Sequence, residues 1–198
     1  MVYDITHKTI DASTKQHMYA ELLSKFKALA DGERDWVTNM SNLSALVFHE
    51  LYNSNFEYKN TLNWAGFYYV NSNEANLSKS NNKPCFMRLG PFQGKVACTR
   101  INFGSGVCGA AAESKLPQLV SNVHDFPGHI ACDAASVSEV VIPIVISLSD
   151  SISSVIGVLD LDCSVPAAFD HDDVTGLTSL ANHLAAACDW PESVFGAY

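Results

Sequence analysis

The chain has 198 residues, and 47% of them are hydrophobic, so it can bury a substantial core. Its 12 lysines and arginines are scattered along the sequence and the formal net charge is -9, which disfavours nucleic acid as a partner. No apolar run approaches the roughly 20 residues of a membrane span, and the N-terminus lacks the apolar stretch of a secretory signal. We therefore expect a cytoplasmic protein without membrane association.

Two amphipathic helices are predicted near the N-terminus. The first spans "STKQHMYAELLSKFKALA", where Ser13 or Thr14 would be the N-cap and apolar residues recur at helical spacing. The second follows the "ADGERD" break and carries an apolar stripe at Trp36, Met40, Leu43, Val47 and Leu51. We expect these two helices to pack against each other.

The middle of the chain has the pattern of strands. "NWAGFYYV" is aromatic and β-branched, and after the polar loop "NSNEANLSKSNNK" the segment "PCFMRLGPFQG" predicts a second strand that ends at its Gly-Pro pair. "VCGAAAES" predicts a short helix and "QLVSNV" a short strand. The apolar segments "EVVIPIVISL" and "SVIGVLDLDC" complete the sheet, and Pro143 places an edge or a bulge within the first of them.

A strong helix closes the sequence in "FDHDDVTGLTSLANHLAAACDW", with Asp170 as its N-cap. Helices at both ends of a run of strands predict an α+β fold, in which a mostly antiparallel sheet carries the terminal helices on one face. The sequence shows no repeat and no linker, so we expect a single domain over residues 1–198 with its core at about 19–190.

Three carboxylates on the last two strands are candidate site residues. Asp160 and Asp162 share one face of their strand because side chains alternate, and Glu139 heads the preceding strand. Buried carboxylates are costly unless a proton or a cation meets them. The three acids therefore indicate either a functional site or the solvent-facing side of a half-buried sheet.

Six cysteines are present, at positions 85, 98, 108, 132, 163 and 188. Cytosolic disulfides are usually transient and catalytic, and the absence of C-x-x-C spacing gives little support for a structural zinc site, so we expect no bound metal. Cys85 and Cys188 follow apolar patterns typical of buried residues, and Cys163 ends a strand. Gly- and Ala-rich segments, which can stabilise a thiolate and admit a substrate, surround Cys98, Cys108 and Cys132. On the residues alone, structural thiols remain the commoner interpretation.

Five segments together resemble the free methionine-(R)-sulfoxide reductases, which have the GAF fold. They read "NWAGFYYV", "LGPFQGKVACTRINFGSGVCGAAAES", "VSNVHDFPGHIACDAASVSEVVIPI", "GVLDLDC" and "FDHDDVTGLTSLA", within a resemblance that runs from Tyr19 to Trp190. The fold alone hosts many unrelated sensors. Cysteines at 98, 108 and 132, together with the residues around the first two, are what distinguish a reductase from a GAF domain that only binds a ligand.

The resemblance implies thiol chemistry without a bound cofactor. A thiolate would attack the sulfoxide sulfur, a sulfenic acid would form, and a second cysteine would convert it to a disulfide that thioredoxin reduces. It assigns Cys132 as nucleophile, Cys98 as its resolving partner and Cys108 as a second resolving thiol. Cys108 and Cys132 could exchange these roles, so that Cys108 would be the nucleophile. We expect a Cys98–Cys132 bridge in the oxidised form and movement of the "KVACTR" loop on reduction.

The same resemblance implies how a zwitterionic substrate would bind. Glu139, Asp160 and Asp162 match the family's pocket acids, and Trp64 and Tyr68 match its aromatic wall. Asp160 or Asp162 would protonate the sulfoxide oxygen. The expected partners are free methionine-(R)-sulfoxide and thioredoxin, and the terminal helices are compatible with a homodimer. The alternatives are a non-catalytic GAF-type small-molecule sensor and a metal-binding structural module.

Overall fold

The computed structural model describes residues 10–71, 86–128, 134–149 and 152–192. Within these ranges the chain forms four α-helices, six strands and one turn of 3-10 helix at Val123–Asp125. In chain order the main elements are α1 (Lys15–Leu29), α2 (Trp36–Tyr52), β1 (Leu62–Val70), β2 (Phe86–Gly94), β3 (Arg100–Asn102), α3 (Gly106–Ser114), β4 (Gln118–Val120), β5 (Ser138–Ser149), β6 (Ile152–Cys163) and α4 (His171–Ala187).

The helix ends follow from side-chain capping. Thr14 accepts a hydrogen bond from the amide of His17 at the start of α1, and Asp35 accepts one from the amide of Thr38 at the start of α2. At α4, Asp170 is the N-cap of a full capping box. Each cap satisfies amide groups that have no partner within the helix, and the predicted starts of these three helices are confirmed.

The six described strands form one antiparallel sheet in the order β3-β2-β1-β6-β5-β4. The central strands β1 and β6 pair so that Trp64 lies opposite Asp162, and β5 and β6 pair so that Glu139 lies opposite Asp162. Directly opposite residues of antiparallel strands share a face of the sheet. This register therefore aligns Trp64, Asp162 and Glu139 in one row across three strands.

The two faces of the sheet bury different cores. One face packs against α2 and α4, and α1 packs on these two helices, through a cluster that includes Leu22, Leu43, Phe67, Leu159 and Leu184. The opposite face packs against the short helix α3. The prediction that the terminal helices share one face is confirmed, and α3 covers part of the other.

The predicted end of the second strand is wrong, because β2 continues through its Gly-Pro pair to Gly94. Gly66 pairs with Phe92 and Tyr68 pairs with Leu89, so Gly90 and Pro91 together lie opposite a single residue of β1. A bulge of this kind accommodates a residue that has no amide hydrogen to donate. The three-residue strand β3 was not predicted, since it is too short to show any periodicity.

Pro143 lies where β5 has lost its outer neighbour. The short strand β4 pairs only with residues 139–141 of β5, and the register of β5 with β6 shifts just after Pro143, between Ile144 and Val145. The predicted edge or bulge is confirmed. No helix among the described ranges is both long enough and apolar enough to span a membrane.

Candidate active site

A cleft that is partly open to solvent lies between α3 and the sheet. Its floor is the sheet face opposite to α1, α2 and α4, its walls include the start of α3, and its rim includes residues 95–97 after β2. Six of the eight residues singled out in the sequence line it: Trp64, Tyr68, Cys108, Glu139, Asp160 and Asp162.

The start of α3 packs closely on β3 and brings hydrogen-bond donors to the cleft. Gly109 packs so closely on β3 that a Cβ atom there would lie 2.2 Å from the backbone oxygen of Asn102. Ser105 is the N-cap, but its side chain makes no capping hydrogen bond. Because Ser105, Gly106 and Val107 line the cleft, the first-turn amide groups and the positive end of the helix dipole lie at its wall.

An aromatic stack forms one side of the cleft. The ring of Trp64 stacks on Tyr68 and on Phe92, with centroid separations of 5.7 and 5.4 Å. Gly66 leaves the necessary space, since a Cβ atom there would lie 2.3 Å from the Cβ of Phe92 and 2.7 Å from the indole of Trp64. The sequence analysis missed Phe92, because it follows the Gly-Pro pair at which the strand was expected to end.

Two of the acids are buried side by side. Glu139 and Asp160 are only 6% and 5% exposed, and their carboxyl groups interact with each other. Burial, followed by the charges of Asp160 and Asp162, raises the pKa of Glu139 well above its usual value. Burial also raises the pKa of Asp160, to about 7. The pair therefore keeps a proton near neutral pH, unlike the solvent-facing acids of a half-buried sheet.

One oxygen of this pair has no hydrogen-bond partner. The Asp160 carboxyl interacts with Cys108 and Glu139, but its Oδ1 atom is buried without a partner among the described residues. The indole Nε1 of Trp64 is also buried without a described partner. Buried polar atoms rarely stay unsatisfied in a native protein, so an acceptor and a donor are both available to a bound molecule.

Cys108 lies in the first turn of α3 and faces the acids. It is 3% exposed, and its Sγ donates a hydrogen bond to Oε1 of Glu139 over 3.8 Å. Burial raises the pKa of this thiol well above its usual value, and the charges of Asp160 and Glu139 raise it further. Ligand atoms of Cys108, Glu139 and Asp160 lie within 4.8 Å of one another, which is also close enough to hold one cation.

The three other described cysteines lie in two places. Cys98 lies on the rim side of the cleft, where it is partly buried and disulfide-bonded. Cys163 and Cys188 are free thiols buried in the cluster on the opposite face of the sheet, which agrees with a packing role. Cys85 and Cys132 lie outside the described residues, so the packing of Cys85 and the Cys98–Cys132 bridge remain predictions.

Polar side chains that the sequence did not single out also line the cleft. Asn63 donates a hydrogen bond from Nδ2 to Oγ of Ser136 over 2.9 Å, which links the start of β1 to the segment before β5. Lys95 brings a positive charge to the rim, and Val96 beside it is 87% exposed. No local pattern marks these residues, because they meet only once the strands have paired.

The fold and the cleft define a GAF domain, and the model of the GAF domain family matches residues 60–189. The chain is 41% identical to the free methionine-R-sulfoxide reductase of Saccharomyces cerevisiae, over 88% of this chain and 87% of that protein. It is 40% identical to the enzyme of the same name from Escherichia coli, over 86% of this chain and 88% of that protein.

A solved structure gives the same result in three dimensions. The free methionine-R-sulfoxide reductase of Neisseria meningitidis, crystallised in complex with its substrate, superposes with a TM-score of 0.75. The identity is 35%, and the match covers 91% of this chain and 95% of that one. The chain belongs to the free methionine-R-sulfoxide reductase family.

Proposed function

We propose that this protein reduces free methionine-(R)-sulfoxide to methionine with its own cysteine thiols. The observation that carries this proposal, beside family membership, is the pair of buried carboxyls that holds a proton within a cleft containing cysteine sulfur. Reduction of a sulfoxide needs a nucleophilic sulfur to attack and a proton for the departing oxygen. The described part of the cleft supplies the proton, and the nucleophile proposed below, Cys132, lies outside the described residues.

The cleft suits a small zwitterion. The acids Glu139, Asp160 and Asp162 offer charge-assisted hydrogen bonds to an ammonium group, and the Trp64 ring offers an apolar surface to an S-methyl group. The first-turn amides of α3, at the positive end of the helix dipole, and the positively charged Lys95 at the rim suit a carboxylate. A sulfoxide within a polypeptide has neither the free ammonium nor the free carboxylate that these groups would bind.

The Glu139–Asp160 pair is the proposed proton donor for the sulfoxide oxygen. Two carboxyls this close in a buried site do not both ionise readily, so one proton stays on the pair near neutral pH. Asp162 is the less suitable donor of the two aspartates, because it is more exposed than Asp160. This assignment keeps one of the two donors predicted from the sequence and adds Glu139.

Cys132 is the proposed nucleophile. Its thiolate attacks the sulfoxide sulfur, which gains two electrons and leaves as methionine, while the oxygen and one proton remain on the cysteine as a sulfenic acid. The thiol of Cys98 then displaces that oxygen as water and forms a disulfide. Two features support the disulfide-forming role of Cys98: it is disulfide-bonded, and its partner is none of Cys108, Cys163 and Cys188, which are free thiols.

A dithiol reductant must reopen the disulfide after each turnover, and thioredoxin is the proposed one. The proposed location is the cytoplasm, where such reductants keep thiols reduced. We also propose that the protein forms a homodimer through its terminal helices. We further propose that it acts during oxidative stress.

A thioredoxin-coupled assay tests the proposal. Consumption of NADPH should require free L-methionine-(R)-sulfoxide, and the (S) epimer or an N-acetylated sulfoxide should give little. Cys132→Ser should abolish turnover, whereas the matched control Cys188→Ser, which changes a thiol on the opposite face, should retain it. Tight binding of the sulfoxide without NADPH consumption would instead indicate a sensor, and stoichiometric zinc in the purified protein would indicate a metal-binding module.

A further inference from the structure

Cys108 is the thiol of the cleft that the proposed reaction does not consume. Attack and disulfide formation need two sulfurs, and Cys108 remains a free thiol while Cys98 is disulfide-bonded. Its sulfur nevertheless lies at the centre of the cleft's polar groups, within hydrogen-bonding reach of both Glu139 and Asp160. A residue retained only for packing would not need to face two carboxyls.

The surroundings of Cys108 favour the protonated thiol. From the sheet it faces Glu139 on β5, Asp160 and Asp162 on β6 and Tyr68 on β1, and Lys95 is the charged group of the rim. With three acids close by and solvent excluded, the sulfur keeps its proton and acts as a hydrogen-bond donor. Such a sulfur is a poor nucleophile, because the thiolate is the attacking form.

We propose that Cys108 is a positioning residue, whose S–H group donates to the Glu139–Asp160 carboxyl pair and holds the pair in the orientation from which it delivers its proton. This inference rests on the proposed function of the cleft. It replaces the role of second resolving thiol that the family resemblance implied. The role needs a donor of about this size at position 108, and it does not need sulfur.

The matched substitutions Cys108→Ser and Cys108→Ala separate these roles, since serine keeps a donor and alanine removes it. In Cys108→Ala, kcat should fall about fivefold, the factor that one ordinary hydrogen bond represents, and Cys108→Ser should recover most of it. The donated hydrogen bond lowers the pKa of both carboxyls. The alkaline limb of the pH–kcat profile should therefore move to higher pH in the alanine variant and return in the serine variant.

A single-turnover measurement distinguishes positioning from thiol chemistry. Reduced enzyme is mixed with the sulfoxide without reductant, and methionine formed per chain is compared with steady-state turnover. For a positioning residue, the rate of the single turnover falls in Cys108→Ala and recovers in Cys108→Ser. If Cys108 were a resolving thiol, both variants would keep the single turnover and lose steady-state turnover. If Cys108 were the nucleophile, both variants would lose the single turnover as well as steady-state turnover. Either of these last two results overturns the proposal.

Two further readouts keep the test interpretable. Urea denaturation of both variants and of Cys188→Ala shows whether a loss of activity is only a loss of folded protein. Infrared titration of the protonated carboxyl band needs no turnover. The pH midpoint of this band should shift in Cys108→Ala and not in Cys108→Ser. An identical titration in the wild type and in both Cys108 variants contradicts the proposal. If the wild type forms no methionine but this titration behaves as expected, the proposed function fails while the placement of Cys108 holds.

Discussion

The substitution Asp160→Asn should stabilise the protein above neutral pH while impairing its activity. Asp160 is buried beside Glu139, and burial raises its pKa from the usual 3.8 to about 7. An acid whose pKa is raised by folding binds its proton more tightly in the folded state. Its contribution is therefore least unfavourable below about pH 4, becomes more destabilising as the pH rises from about 4 to about 7, and levels off above 7.

The shift sets the size of the effect. A rise in pKa of this size corresponds to about 4 kcal/mol of stability between low pH and a pH above 7. Asparagine has nearly the same shape but no charge, so the variant avoids this cost. Its amide group must still find a partner at a position where the Oδ1 atom of Asp160 has none among the described residues. We expect a net gain of about 1–3 kcal/mol in the free energy of unfolding at pH 8.

Urea denaturation of the reduced proteins at pH 5, 7 and 8.5 measures the effect. The difference in unfolding free energy between Asp160→Asn and the wild type should grow in favour of the variant as the pH rises. Asp31→Asn, which removes an exposed carboxylate, controls for the general loss of one negative charge and should show no such growth. A difference that does not depend on pH, or a variant less stable than the wild type at pH 8.5, refutes the reasoning.

Two further predictions concern the aromatic stack and a buried ion pair. Gly66→Ala places a methyl group 2.3 Å from the Cβ of Phe92, so it should force the aromatic stack apart. The variant should lose about 1–3 kcal/mol of stability, and its KM should rise more than its kcat falls. An unchanged KM would contradict the role of the stack in substrate binding. Lys15→Met leaves the fully buried Asp173 without its 2.7 Å ion-pair partner, so urea denaturation should show a loss of about 3–5 kcal/mol, with unchanged activity per folded molecule. A loss below about 1 kcal/mol would show that the hydrogen bonds Asp173 accepts from the Tyr19 hydroxyl and the Asp170 amide are enough to stabilise it.

Features that repeat along the chain could be predicted from the sequence. The alternation around Asp160 and Asp162 placed both side chains on one face, because the pleat has a period of two. The caps Thr14 and Asp170 marked helix starts because their side chains satisfy amides next to them in sequence. These local rules were sufficient for the fold class and for the shared face of the two aspartates.

Features that depend on strand pairing could not be predicted in this way. The row that brings Trp64, Asp162 and Glu139 together is a matter of register, which no local pattern specifies. The bulge opposite Phe67 hid the last part of β2 and with it Phe92. The buried pairing of Glu139 with Asp160 likewise depends on the contact of two strands, so the sequence left open whether these acids face solvent or a site.

A single-turnover experiment on the fully reduced protein tests the central claim most directly. On mixing with excess free L-methionine-(R)-sulfoxide and no reductant, each chain should release about one methionine and lose two free thiols, one of them that of Cys98. Mass spectrometry after alkylation identifies the cysteines that have reacted. Release of no methionine, or release without any loss of thiols, would contradict the account.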